Sequence, residues 1–295
     1  MALDDLLLHP AYFPELIVGP NLILRLAAEG RSLTPLWNYL AGRVDEDSRD
    51  GGALWDMAQI LLARGHTSDG LRIQADALRC RRDFRVVHGD GSGPVVLAFI
   101  APGDLSANLA VDLLLHGSNC TLWLRCVGDD DALSNLPLHD VAVIAAGPKV
   151  AEQDNFQRLA AGLSAAGWPL INGKADAIAG LRPERLALAL ASEDGVVVAP
   201  MAGHVGNTRQ RIACIDNQLF SLEPDGDGFI AKHRTALAAI VRRVGLDCFD
   251  LECAETRDGR LAILSADVGG LPVVLGRAPK ALQLLCDAFT TRVSR

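Results

Sequence analysis

Apolar positions change period twice along the chain. From about Leu16 to Ala41 they recur at helical spacing, with Leu22, Ile23 and Leu26 followed by Leu36, Trp37 and Leu40 on one face. The acidic run Asp45-Glu-Asp-Ser-Arg-Asp-Gly-Gly52 interrupts this pattern. Residues 53–65 and 67–80 then predict two antiparallel helices, with Gly65 as the stop signal of the first. Beyond the loop His88-Gly-Asp-Gly-Ser-Gly-Pro94 the helical period gives way to Val95-Val-Leu-Ala-Phe-Ile-Ala101, an unbroken apolar run that predicts a strand buried on both faces.

Further strands are predicted at Thr121–Val127, Asp140–Ala146 and Pro169–Asn172, with helices at Leu109–His116 and Asn155–Ala166 between them. Strands alternating with helices in this way predict a parallel sheet. Such sheets take ligands beyond the carboxyl ends of their strands, here the loops Ala101–Asp104 and Gly147–Pro148. Neither loop carries a Gly-x-Gly-x-x-Gly or Walker sequence, so phosphate cradling of those two kinds is not expected there.

The last third predicts a helix at Pro183–Leu190, strands at Val196–Ala199 and Arg211–Ile215, a hairpin turn at Asp216-Asn217 and a helix at Lys232–Val244. Asp225-Gly-Asp-Gly228 lacks the later glutamate of a calcium loop and is read as a turn. The chain then runs through Phe249-Asp-Leu-Glu252, turns at Asp258-Gly259, and returns through Leu261–Leu264 to Ser265-Ala-Asp267. This is two antiparallel strands about a polar turn. The expected division is 1–88 helical, 89–172 α/β, and 173–295 a reduced α+β unit.

Composition narrows the partners more than the fold. The 295 residues are 49% hydrophobic and 22% charged, with a formal net charge of −8, which disfavours a broad nucleic-acid or anionic-membrane surface. The acidic start Met1-Ala-Leu-Asp-Asp is unlike a secretory signal, and no apolar run is long enough to span a bilayer, so a cytoplasmic location is expected. Seven cysteines, none in Cys-x-x-Cys spacing, are read as reduced core thiols, with no metal role for Cys248 or Cys253.

The hairpin from Phe249 to Asp267 resembles the terminal hairpin of ATP-grasp ligases. The ordered pieces before it resemble the α/β domain that precedes the ATP-grasp region in bacterial members with tetratricopeptide-like N-termini. Those pieces are the strand into Ala101-Pro-Gly-Asp104, Asn108, Leu113-Leu-Leu-His-Gly-Ser118, Leu138-His-Asp-Val-Ala-Val143 and Pro169-Leu-Ile-Asn172. Residues 53–80 resemble a single tetratricopeptide-like hairpin, one unit where an array needs roughly three. The resemblance implies that Glu252 and Asp267 are magnesium ligands, while serine at 265 stands where the family has a bridging glutamate. It likewise assigns Arg211 a phosphate-facing position, and Gly203 and Gly206 a glycine-rich, nucleotide-side stretch within Pro200-Met-Ala-Gly-His-Val-Gly-Asn207.

One departure governs the functional expectation. The family inserts a lobe carrying a lysine and a glycine-rich flap before its metal-binding core. Such a lobe needs roughly 40 residues, whereas residues 200–210 are all that separate two strands here. The expected protein is therefore a degenerate ATP-grasp pseudoenzyme that binds a protein or peptide partner, with a homo-oligomer left open as one such association, and with no cofactor. The alternative is an ATP- and magnesium-dependent carboxylate–amine ligase, or an enzyme repurposing the residual cleft with His204 as catalytic base.

Overall fold

A computed structural model describes residues 15–128, 133–198, 205–223, 226–269 and 279–295, with backbone alone at 205–208 and 279. Its helical beginning is α1 (Pro20–Ala28), α2 (Thr34–Glu46), α3 (Gly51–Ala63) and α4 (Thr67–Cys80). The stretch read as one helical run from Leu16 to Ala41 is thus split in two. Gly30 adopts φ 68° just after α1, and a proline occupies the first turn of α2. Ile23, Leu26, Leu33, Leu36 and Leu40 pack with Ala53, Met57 and Ile60 as a small core of their own. Helix α3 starts where Asp50 accepts the Ala53 N–H at 2.9 Å, and Arg43 holds the same carboxylate at 2.8 Å. Gly65, at φ 80°, turns the chain into α4, and Gly70 lets α4 approach α3 so closely that a Cβ there would stand 2.8 Å from Leu62 Cγ.

Strand β1 (Asp83–Val87) lies inside the span expected to be helical. Its inward residues are Phe84 and Val86, a period of two that the charged Asp83 and Arg85 obscure in the sequence. Phe84 stacks on Trp55 of α3 at 4.4 Å between ring centroids, which ties the helices to the sheet. The sheet continues with β2 (Val95–Ile100), β3 (Thr121–Cys126), β4 (Val141–Ile144) and β5 (Leu170–Ile171) in the order β1-β3-β2-β4-β5. All pairs are parallel except β1 with β3. The connections carry α5 (Val111–Leu114), shorter than the expected helix, and α6 (Pro148–Ala151) with α7 (Asp154–Ala166). Val96–Ile100 and Val141–Ile144 are buried throughout, as the unbroken apolar runs require.

After α8 (Ala175–Ala179) and α9 (Pro183–Ala189), the second sheet comprises β6 (Val196–Val198), β7 (Val205–Ile215), β8 (Gln218–Ser221), β9 (Cys248–Thr256) and β10 (Leu261–Asp267). Their order is β6-β10-β9-β7-β8, antiparallel except for β6 with β10. Asp216 and Asn217 adopt φ 50° and 64° in the β7–β8 turn, the left-handed pair that a two-residue hairpin uses. The helix expected at Lys232–Val244 is α11 (Arg234–Val244), and a helix that was not expected, α10 (Gly226–Lys232), precedes it across His233. Gly226 to Gly228 therefore open a helix instead of forming a turn, while Asp225 lies outside the described residues. Helix α12 (Pro279–Val293) closes the chain.

Asn172, just past β5, joins the two sheets. It is 1% exposed and sits at φ 53°. Its side chain donates to Cys248 O at 2.8 Å and accepts from Cys248 N at 2.9 Å, while its own N–H reaches Asp247 Oδ2 at 2.8 Å. Arg292 of α12 adds bonds to Asp247 and to the Leu170 carbonyl.

Candidate functional site

The terminal hairpin turns at Gly259, which adopts φ 81°. Its two strands do not pair with a simple alternation. Ala262 faces Ala254 and Ile263 faces Cys253, but the register then shifts so that Ser265, not Leu264, faces Glu252, and Asp267 faces Asp250. The bulge rotates Ser265 and Asp267 onto the face that carries Asp250 and Glu252. On the other side of β9, β7 places Arg211 opposite Glu252 and Arg209 opposite Ala254. Six polar residues from three strands therefore share one face: Arg209, Arg211, Asp250, Glu252, Ser265 and Asp267.

Each carboxylate on this face is engaged. Arg209 Nη1 donates to Glu252 Oε1 at 2.8 Å, and Ser265 Oγ lies 3.4 Å from Glu252 Oε2. Arg211 Nη2 stands 3.6 Å from Oδ1 of Asp250, which is 3% exposed. Asp267 Oδ1 accepts the N–H groups of Val268 at 2.7 Å and Gly269 at 3.3 Å. Asp250 escaped the sequence reading, although its spacing of two from Glu252 is the signal that two carboxylates share a strand face.

The Asp267 end of the hairpin meets the loops beyond the carboxyl ends of β2 and β4. A Cβ on Gly147 would stand an ordinary 3.6 Å from Asp267 Oδ1, whereas one on Gly269 would fall 2.1 Å from the Ser106 carbonyl, so the second approach depends on glycine. Asn108 fixes the first loop by bonding both the N–H and the carbonyl of Ala101, at 2.7 and 2.8 Å. Gln74 of α4 clasps the N–H and carbonyl of Gly103 in the same way, at 2.9 and 3.0 Å. The two ligand-side loops expected from strand order thus abut the hairpin, and the helical segment braces one of them.

Other sequence candidates fall elsewhere. His204 and Gly203 lie outside the described residues, and Gly206 is a backbone position in β7 where the pairing with β9 shifts register. Lys232 is bound to Glu255 at 2.7 Å, and Lys174 follows β5 on a different surface. Between β6 and β7 run only residues 199–204.

Magnesium prefers oxygen ligands in a near-octahedral array. Glu252 and Asp267 do lie on one face, but the Arg209 guanidinium stands on Oε1 of Glu252 and two backbone N–H groups on Oδ1 of Asp267. Among the described residues, no three His, Cys, Asp or Glu side chains gather as a metal-holding group. Among the described residues the face therefore offers no closed cage for a divalent ion, only the one or two carboxylates that magnesium takes when it is shared with phosphates. Burial pushes the Cys253 thiol up to about 12 and Cys248 upward as well, consistent with core thiols.

No protein-family model and no curated protein matches the chain. Comparison with solved structures returns ATP-grasp ligases, the family that the hairpin resembles. The macrocyclase MdnB from Microcystis aeruginosa MRC is 14% identical, with 68% of this chain and 99% of that one covered, at a TM-score of 0.44. D-alanine–D-alanine ligase from Bacillus anthracis, solved with ATP, is 9% identical, with coverage of 68% and 98% and a TM-score of 0.48. The ATP-grasp ligase PsnB, solved with a minimal precursor, Mg and ADP, is 13% identical, with coverage of 68% and 98% and a TM-score of 0.42. No helix among the described residues is long and apolar enough to cross a membrane.

Proposed function

We propose that this chain is a binding or accessory protein on an ATP-grasp-like frame, which engages a protein or peptide partner and does not by itself clamp ATP. The observation that carries this reading is the six-residue passage, 199–204, between β6 and β7. A nucleotide-covering lobe needs several times that length. The Arg209–Glu252 and Arg211–Asp250 pairs support the same reading, because they neutralise carboxylates that a magnesium–phosphate complex would have to recruit.

A second reading, an ATP- and magnesium-dependent carboxylate–amine ligase completed by another chain, is favoured by one specific feature. Asp250, Glu252 and Asp267 share a face beside the loops beyond β2 and β4. Calorimetry with Mg·ADP, followed by an ATP-turnover assay over mixed carboxylates and amines, separates the two. The binding-protein reading expects neither saturable Mg·ADP binding nor ATP consumption by the isolated chain. ATP-dependent product formation that disappears in the Glu252→Ala, Asp267→Ala double variant would overturn it in favour of the ligase.

A further inference from the structure

Away from the hairpin face, beyond the carboxyl end of edge strand β5, a cleft of about 700 Å³ opens between α7, α8, α9 and the last turn of α11. That volume is within the range of small-molecule sites, roughly 300–1,000 Å³. None of the six polar residues of the hairpin face lines it. Four cations border it, Lys174, Arg185, Arg242 and Arg243, against the single carboxylate of Asp176. This is a concentration of positive charge in a chain whose net charge is −8.

The four cations are arranged in two ways. Arg185 is tethered from outside the cleft by Glu152 at 3.0 Å, and Arg243 by Glu193 at 2.7 Å. Lys174 and Arg242 have no ion-pair partner among the described residues. Arginines in the last turn of α11 complement the helix dipole, but that role does not account for Lys174 in the loop after β5 or Arg185 on α9. Much of the wall between them is small side chains, including Ala160, Ala177 and Ala189, which leaves the volume open. Gln157 and Ser164 of α7 add neutral hydrogen-bonding groups on the same wall.

We propose that this cleft binds a small phosphorylated molecule, up to mononucleotide size, through Lys174 and Arg242, with Arg185 and Arg243 adding charge at the rim. A phosphate monoester carries about two negative charges near neutral pH. The planar guanidinium fork of an arginine matches its oxygens, and a lysine ammonium adds a compact charge beside it. The site is independent of ATP clamping at the hairpin, so it stands whichever reading of that face holds.

The test is calorimetry on the full chain at low salt with inorganic phosphate, pyrophosphate, AMP and citrate. Pyrophosphate or AMP is expected to bind saturably, and added sodium chloride to weaken the binding. Lys174→Ala with Arg242→Ala is expected to reduce affinity about tenfold or more, the loss of two charge-assisted contacts. Both side chains are exposed, so circular dichroism should show the double variant folded. Glu252→Ala with Asp267→Ala should leave the affinity unchanged, which separates this cleft from the hairpin face. Absence of binding by every phosphate compound, equal affinity in the Lys174/Arg242 double variant, or citrate binding as tightly as pyrophosphate would each overturn the proposal.

Discussion

Arg209 on β7 and Glu252 on β9 are joined at 2.8 Å although they are not directly opposite in register, where Glu252 faces Arg211. The long arginine reaches diagonally along the face, and its neighbour Arg211 turns instead toward the buried Asp250. Two arginines thus engage two carboxylates along parallel diagonals of the face.

Releasing that arrangement should expose latent cation affinity. Arg209→Ala with Arg211→Ala is expected to bind Mn²⁺ more tightly than the wild type, as read by electron paramagnetic resonance of the free ion, because the competing guanidinium groups are gone. The Arg209–Glu252 contact is solvent-facing, so Arg209→Ala alone should change stability by less than about 1 kcal/mol. Unchanged Mn²⁺ affinity in the double variant would show that the arginines do not control this face.

Asn172 is expected to be the most sensitive single residue at the junction of the sheets. Asn172→Ala removes two buried hydrogen bonds to Cys248 and places a Cβ residue without a compensating amide at φ 53°. Urea unfolding should show a loss of about 2–4 kcal/mol. Asn172→Gly relieves the backbone but not the lost bonds, and should remain destabilised by more than about 1 kcal/mol.

A pH dependence follows from Asp56, a fully buried carboxyl on α3 that accepts the N–H groups of Val18 at 2.6 Å and Gly19 at 3.2 Å. Burial raises it from 3.8 to about 7, against the pull of those two N–H bonds. The folded state therefore holds a proton that the unfolded chain releases near pH 4. The associated stability is full below that point, declines as pH rises, and is gone once pH passes about 7. The difference between wild type and Asp56→Asn in urea unfolding should change by up to about 1.4 kcal/mol per pH unit across this window. A flat difference would place the titration elsewhere.

Thiol chemistry offers a direct check on the core. Cys126, Cys214 and Cys253 are pushed up to about 12 by burial, and all seven cysteines are unpaired. Only Cys80 is partly exposed. Native protein should release about one equivalent of chromophore from an aromatic disulfide reagent quickly, and the full seven only after denaturation, since the thiolate is the reacting form.

Much of the architecture was legible from periodicity. The unbroken apolar runs at 95–101 and 140–146 announced strands covered on both faces, and the helix stop at Gly65 announced a hairpin of helices, because these signals are local and strong. Strand β1 was not legible, since Asp83 and Arg85 mask its two inward residues and only pairing with β3 makes it a strand. Asp250 carries no motif of its own, and its place on the polar face follows only from its register with Asp267 and its spacing from Glu252.

By itself the sequence determined most of the order of helices and strands, though not β1 or α10, together with the turns at Asp216-Asn217 and Asp258-Gly259 and the shortness of the passage between β6 and β7. Only the tertiary structure decided which side of β10 shares a face with Asp250 and Glu252. Counted by alternation from Ala262, Leu264 would face Glu252, and Ser265 and Asp267 would point into the core. The bulge before Ser265 reverses this, because burying Ile263 against Cys253 and packing the half-buried Ala266 beside Leu251 satisfies the apolar layer only if one extra residue is taken up between them. Register is a property of two strands together, and no single strand's sequence specifies it.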